Sequence, residues 1–184
     1  MAEPGEYATN LRDVGALATW AVSSAKPGYG VEHIRDPNPA TLWQSEGAQP
    51  HLINIQFPKK QPVSQVWIYA DITQDDSYTP HKISIRAGTY HGDLHEVRWV
   101  ELGQPKGWQV LRLGGSARPG EEPSATNDDP IRAHLIQVAI ISNHMNGKDT
   151  HVRGIRVFAP RPLELDDDVI PFRSVAFIQH ETIR

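Results

Sequence analysis

Residues 53–57 read Ile-Asn-Ile-Gln-Phe, and residues 66–70 read Val-Trp-Ile-Tyr-Ala. In the first run Ile53, Ile55 and Phe57 alternate with Asn54 and Gln56, the period by which a strand buries one face and wets the other. In the second, Val66, Ile68 and Ala70 interleave with Trp67 and Tyr69, so both faces are apolar and the strand belongs inside a sheet. The run Leu135 to Ile141 is apolar at every position but Gln137, which predicts another buried strand. Shorter segments repeat the pattern: Ile83 and Ile85 among Lys82, Ser84 and Arg86; Val97 to Val100; Trp108 to Leu111; and Ile155, Val157 and Ala159 alternating with Arg156 and Phe158. Fifteen prolines and 14 glycines punctuate the chain and leave little room for long helices. Seven or more short strands between turns predict an all-β chain folded as a β-sandwich or jelly roll.

The whole chain is long enough for this. Its 184 residues suit one domain with a core of its own, and 39% hydrophobic with 22% charged residues is ordinary for a globular protein. Eighteen Lys and Arg against 22 Asp and Glu give a formal charge of −4, whereas proteins that grip nucleic acid through phosphates usually carry a basic excess. No nucleic-acid partner is expected. There is no cysteine, which removes disulfides, thiol nucleophiles and thiolate zinc sites together. Met1 to Glu6 lacks the basic and apolar regions of a secretory signal, and no Asn-x-Ser/Thr sequon occurs. No apolar run approaches the ~18 residues of a membrane span. The expectation is a protein of the nucleus and cytoplasm with no membrane partner.

Some regions escape the strand pattern. Leu11 to Trp20 is expected to form a helical or wrapping segment, and Val31 to Arg35 one helical turn before Asp36-Pro37. Trp43, inside the turn-rich stretch Ser23 to His51, reads as core. Gly114 to Pro130 is rich in Gly, Pro, Ser, Glu and Asp and reads as a surface loop. Pro160 to Pro171 reads as a linker, and the more apolar Phe172 to Ile183 as a tail suited to contacts. The organisation expected is an N-terminal segment at 1–19, the sandwich at 20–160, and a linker and extended C-terminal tail at 161–184.

Two loops carry the polar chemistry. Asn143 to His151, with Arg153 just beyond, lies between two predicted strands and therefore at a rim of the sandwich. His144, Asp149 and His151 could ligate a metal, or a His could serve as a base oriented by Asp149. The seven-residue spacing of the two His in a loop favours neither. Asn146-Gly147 is also a common turn pair. A recognition loop for a peptide or sugar is preferred, because rims commonly carry binding residues on a rigid scaffold. The second loop, Asp71 to His81, contains Asp75-Asp76, read as a solvated pair, and Tyr78, whose amphipathic ring suits a binding surface. No Gly-x-Ser-x-Gly elbow, phosphate loop or His-Glu-x-x-His helix is present, so the sequence assembles no enzyme site.

Three strings carry a resemblance to a known family: SSAKPGYGVEHIRDPNPATLWQSEGAQPHLINIQF (23–57), YADITQDDSYTPHKISIRAG (69–88) and SNHMNGKDTHVRGIRVFAP (142–160). They resemble the DOC domain, and most closely the DOC-domain subunits of the anaphase-promoting complex or cyclosome, the subunit-ten family. The resemblance implies a jelly-roll sandwich akin to galactose-binding and discoidin-type modules. It implies a non-catalytic subunit of a multisubunit ubiquitin ligase, without cofactor or bound metal. With a propeller coactivator, such a subunit forms a bipartite receptor for the destruction box of cell-cycle substrates and promotes processive ubiquitination. Carried onto this chain, the degron surface comprises Ser77, Tyr78, Thr79 and Pro80, then Asn143, His144, Asn146, Asp149, Thr150, His151 and Arg153. Position 148 is Lys where relatives commonly have Arg, which keeps the charge but loses a bidentate fork. Ile183 and Arg184 correspond to the C-terminal anchor for a tetratricopeptide-repeat scaffold subunit, other subunits of the complex being further partners. The readings set against this one are a stand-alone carbohydrate-binding module of the same sandwich class and a metal-dependent hydrolase at His144, Asp149 and His151.

Overall fold

The structure, a computed structural model, describes residues 10–114 and 130–161. In chain order it contains β1 (Leu11–Asp13), β2 (Thr19–Val22), α1 (Glu32–Arg35), β3 (Trp43–Gln44), β4 (His51–Val63), β5 (Gln65–Asp71), α2 (Ile72–Asp75), β6 (Pro80–Gly88), β7 (His95–Glu101), β8 (Lys106–Arg112), β9 (Ile131–Asn143), β10 (His151–Val152) and β11 (Gly154–Pro160). Turns of 3-10 helix occupy Gly15–Leu17, Asp76–Tyr78 and His144–Asn146. One antiparallel sheet runs β2-β4-β9-β6-β7 and the other β1-β11-β5-β8, with the β3-β10 pair as a separate two-stranded piece.

The strands follow from their side chains. Ile53, Ile55 and Phe57 of β4, Ile83 and Ile85 of β6, and Ile136, Val138 and Ile140 of β9 point into one core. They meet Val66, Ile68 and Ala70 of β5 and Ile155, Val157 and Ala159 of β11 from the facing sheet. Removing this surface from water is the main driving force for closing the two layers. β5, apolar on both faces, lies between β11 and β8. On its outer face Trp67 packs against Phe158 at 4.8 Å and Trp108 at 6.4 Å between ring centroids, and Tyr69 meets Trp108 edge-on at 5.5 Å. β9 sits at the centre of the larger sheet, flanked by β4 and β6. Pro58, which cannot donate to a ladder, falls where the β4–β9 register breaks between Gln56 and Gln61.

The N-terminal stretch, expected to be helical or wrapping, runs along the sandwich as strand with one 3-10 turn at Gly15–Leu17. β1 pairs with β11, Val14 is buried, and β2 pairs with β4, so the sandwich reaches back to Leu11 and a boundary at residue 20 falls inside β2. The reason is edge pairing: β11 and β4 would otherwise end their sheets with unpaired backbone groups. The single helical turn expected near Val31 is α1, and Trp43 is fully buried, its indole N–H donating to the Ser24 carbonyl at 2.9 Å. Most of the acidic loop within Gly114 to Pro130, and the linker and tail including Ile183 and Arg184, lie outside the described residues. No helix among the described residues is long and apolar enough to cross a membrane.

Candidate recognition rim

The two polar loops meet at one end of the sandwich because β6 and β9 are neighbours. β5 ends at Asp71, whose carboxylate caps α2 by accepting from the Thr73 N–H at 2.9 Å. The Thr73 hydroxyl and the Gln74 amide also donate to that carboxylate, and these bonds hold its pKa below the ordinary value. The chain then turns through Asp76–Tyr78 into Pro80, which stands opposite Asn143, the last residue of β9. The His144 N–H donates to the Thr79 carbonyl at 2.9 Å, so one loop starts where the other ends.

Further bonds tie the rim together. The Thr150 hydroxyl donates to the Tyr78 carbonyl at 3.2 Å, and the Thr150 N–H donates to the Ser45 hydroxyl at 2.8 Å. Asn143 donates its amide to the carbonyls of Asp149 at 2.7 Å and Gly147 at 3.3 Å. Gln49 donates to the Gly147 carbonyl at 2.9 Å, and the His51 ring binds the Lys148 carbonyl at 2.6 Å. Gly147 is required by space alone: a Cβ there would overlap the Ser77 carbonyl. Asn146 takes φ 57°, a left-handed conformation that Asn tolerates, in keeping with its place in the Asn-Gly turn pair. The other non-glycine residues with positive φ among the described residues are Asp76 and Met145, in the same two loops. Backbone strain thus collects at this rim, as it does at ligand clamps.

Asp75 corrects the reading of a solvated acidic pair. Asp76 is exposed, but Asp75 is only 4% exposed and sits beneath the rim. Its Oδ2 accepts from Arg153 Nε and its Oδ1 from Arg153 Nη2, both at 2.7 Å, while His151 Nδ1 lies 3.0 Å from Oδ1. Burial alone would raise its pKa, but the bonds from His151 and Arg153, and then their charges, hold it below the ordinary 3.8. Arg153 spends its remaining Nη1 on the Pro39 carbonyl at 2.9 Å. The His151 ring lies flat on Tyr78, with centroids 4.2 Å apart and planes 10° apart. His144 packs on His81 at 4.6 Å. Desolvation and the neighbouring His81 lower its pKa, against a backbone hydrogen bond with Leu102.

The residues carried over from the resemblance therefore divide. Tyr78 and Asn146 are exposed, and Ser77, His144, Asp149 and His151 are partly so. Thr79, Pro80, Asn143, Thr150 and Arg153 are buried and hold the loops in place. No group of three His, Asp or Glu able to hold a metal occurs among the described residues, so the proposed trio of His144, Asp149 and His151 is not gathered. Sequence reading missed Asp75, Ser45 and His51. A signal for Asp75 existed, since His151 and Arg153 two apart on extended chain face the same way, and a guanidinium beside an imidazole on one face calls for an acceptor.

Searches against known proteins agree with this architecture. The family profile of anaphase-promoting complex subunit 10 matches residues 3–182. The Drosophila melanogaster protein called anaphase-promoting complex subunit 10 is 45% identical over 179 residues, spanning 95% of this chain and 85% of that one. The Homo sapiens protein of the same name is 44% identical, over 84% of this chain and 78% of its own. Among solved structures, a family 32 carbohydrate-binding module of NanJ from Clostridium perfringens, in complex with galactose, superposes with a TM-score of 0.63. It is 16% identical and covered over 98% of its length by 80% of this chain. An F5/8 type C domain from Bacteroides fragilis reaches the same TM-score at 12% identity, with 84% and 99% covered. At those identities the likeness is one of fold, which makes the sandwich a galactose-binding or discoidin-like jelly roll. The chain belongs to the family of anaphase-promoting complex subunit 10.

Proposed function

We propose that this chain receives degrons for the anaphase-promoting complex, the cell-cycle ubiquitin ligase of which its family is a subunit. The rim formed by Ser77, Tyr78, His144, Asn146, Asp149 and His151 takes one side of a destruction box, and a propeller coactivator takes the other. The chain is non-catalytic: it lengthens the substrate's stay and so promotes processive ubiquitination. Ile183 and Arg184 anchor it to a tetratricopeptide-repeat scaffold subunit, and it works in the nucleus and cytoplasm with the complex.

The observation that supports the receptor reading most is the junction of the two loops. Residues 73 positions apart stack as Tyr78 on His151, over a buried ion pair that fixes both loops. Side chains immobilised before binding lose less entropy when a peptide arrives. The same rim gathers partly exposed polar groups of a kind suited to a peptide backbone. The test is photocrosslinking from a destruction-box peptide, with the probe moved along the peptide, in the complex assembled with coactivator. Crosslinks to residues 77–78 and 144–151 are expected. Crosslinks confined to the outer sheet faces, or to the coactivator alone, would overturn the reading.

A further inference from the structure

We propose that the cavity beside the rim, between Gly47–Gln49 and Lys148–Asp149, is a second subsite of the receptor, where Lys148 reads the carboxylate of an acidic residue flanking the destruction box. This rests on the receptor reading above and adds a side chain that the ligand supplies outside the box.

Gly47, Ala48, Gln49, Lys148 and Asp149 surround a cavity of about 580 Å³, within the roughly 300–1,000 Å³ of ligand sites. One wall is the turn before β4. The Ser45 N–H donates to the Thr150 carbonyl at 3.0 Å and the Glu46 N–H to the Ser24 hydroxyl at 3.1 Å, which fixes where the turn starts. Gln49 fixes where it ends, because its side-chain amide donates to the Gly147 carbonyl at 2.9 Å and the Lys148 carbonyl at 3.4 Å. Between these ties Gly47 takes φ 98°, a conformation that side chains rarely adopt, with open space where a Cβ would stand. This wall is therefore bare main chain. The N–H groups of Gly47, Ala48 and Gln49 have no acceptor among the described residues.

The opposite wall is held by its backbone and free at its side chains. Gln49 and His51 both bind the Lys148 carbonyl, and Asn143 binds that of Asp149 at 2.7 Å. The Lys148 ammonium and the Asp149 carboxylate make no ion pair, with each other or with any other described residue. Gly47, Ala48, Gln49 and Lys148 are all exposed, and Asp149 partly so, hence a peptide can reach every group in the argument. An ammonium and main-chain N–H groups only donate, so this side of the cavity calls for an acceptor, and an ionised carboxylate makes the stronger bonds. Asp149 repels a second carboxylate beside it, which sets the incoming acid toward the Gly47–Gln49 turn. Asp149 belongs to the rim as well as to the cavity, so a peptide crossing the rim runs on into this subsite.

The test uses the complex rebuilt with coactivator, in which destruction-box peptides compete with a labelled substrate for ubiquitination. The peptides share one box and carry Glu or Gln at each flanking position in turn. At about 50 mM salt one position should favour Glu by about two- to fivefold in half-inhibitory concentration, the size of an exposed ion pair. That preference should vanish in Lys148→Met, survive in Lys148→Arg, and weaken at about 200 mM salt. Lys148→Glu should favour Lys at the same position. The rim variant Tyr78→Ala, His151→Ala separates this proposal from the reading beneath it. Weaker competition in the rim variant, with no flanking position whose choice of Glu over Gln depends on Lys148, would overturn the subsite alone. Peptides that compete equally well in the native and rim-variant complexes would overturn the receptor reading and the subsite with it.

Discussion

At the residue scale the rim depends on a charge that does not touch solvent. Asp75 balances Arg153, and both side chains are at most 10% exposed. Replacing Asp75 by Ala leaves a buried guanidinium without its anion, which typically costs about 3–5 kcal/mol. The drop should appear in the urea midpoint, and a loss below about 1 kcal/mol would mean that water or a loop shift compensates Arg153. The pH dependence follows from the same group. Its folded pKa lies below 3.8, so its contribution is fully present above that value and is lost as pH falls through the lower folded one. His144 acts at higher pH. Its folded pKa lies below 6.5, so the folded state resists the proton that the unfolded chain accepts, and stability declines as pH falls below 6.5. Urea midpoints at about pH 7 and pH 5.5 should differ less in His144→Gln than in the native chain. An equal difference in both would remove His144 from the account.

At the element scale the two loops are joined by backbone rather than by side-chain contacts alone. Gly147 crosses Ser77 so closely that no Cβ fits between them. Gly147→Ala must push the loops apart, an overpacking that costs about 1–3 kcal/mol. Because Gln49 and Asn143 both bond the Gly147 carbonyl, the displacement spreads to the loop before β4 and to the end of β9. The expected result is a folded protein with reduced degron affinity and altered amide shifts in residues 76–79. Unchanged affinity would show that the peptide does not read the junction. Asp76 and Met145, with φ of 48° and 51°, lie in the two loops that meet at this junction.

At the scale of the whole molecule, the sandwich is a frame that brings distant sequence to one rim. Much of that frame was legible in the sequence, for a physical reason: strands whose pattern decides them, such as Ile53 to Phe57 and Val66 to Ala70, need only their own residues to announce a buried face. β1 was not legible, since three residues with no alternation become a strand only because β11 offers an edge. The same holds for the site. Loop composition singled out Tyr78 and His151, but their stacking and the role of Asp75 depend on contacts across 73 and 76 positions. A counter-charge chosen by tertiary structure leaves little local trace, and Asp75 beside Asp76 looked like two solvated acids. The tail is a separate attachment in this account. Deleting Ile183 and Arg184 should weaken recovery of the ligase subunits in affinity purification while leaving the rim's peptide binding unchanged. Equal recovery with and without them would place docking on the sandwich.

The central claim concerns the rim, and one measurement addresses it most directly. The number of ubiquitins added per substrate encounter is compared between complexes rebuilt with the native chain and with the double variant Tyr78→Ala, His151→Ala. Each complex is given a substrate with an intact destruction box and one with the box destroyed. The account predicts that the variant assembles normally and loses most of the difference between the two substrates, since truncating a contact residue typically costs about 1–3 kcal/mol. A variant that assembles and still separates the two substrates as the native chain does would contradict it.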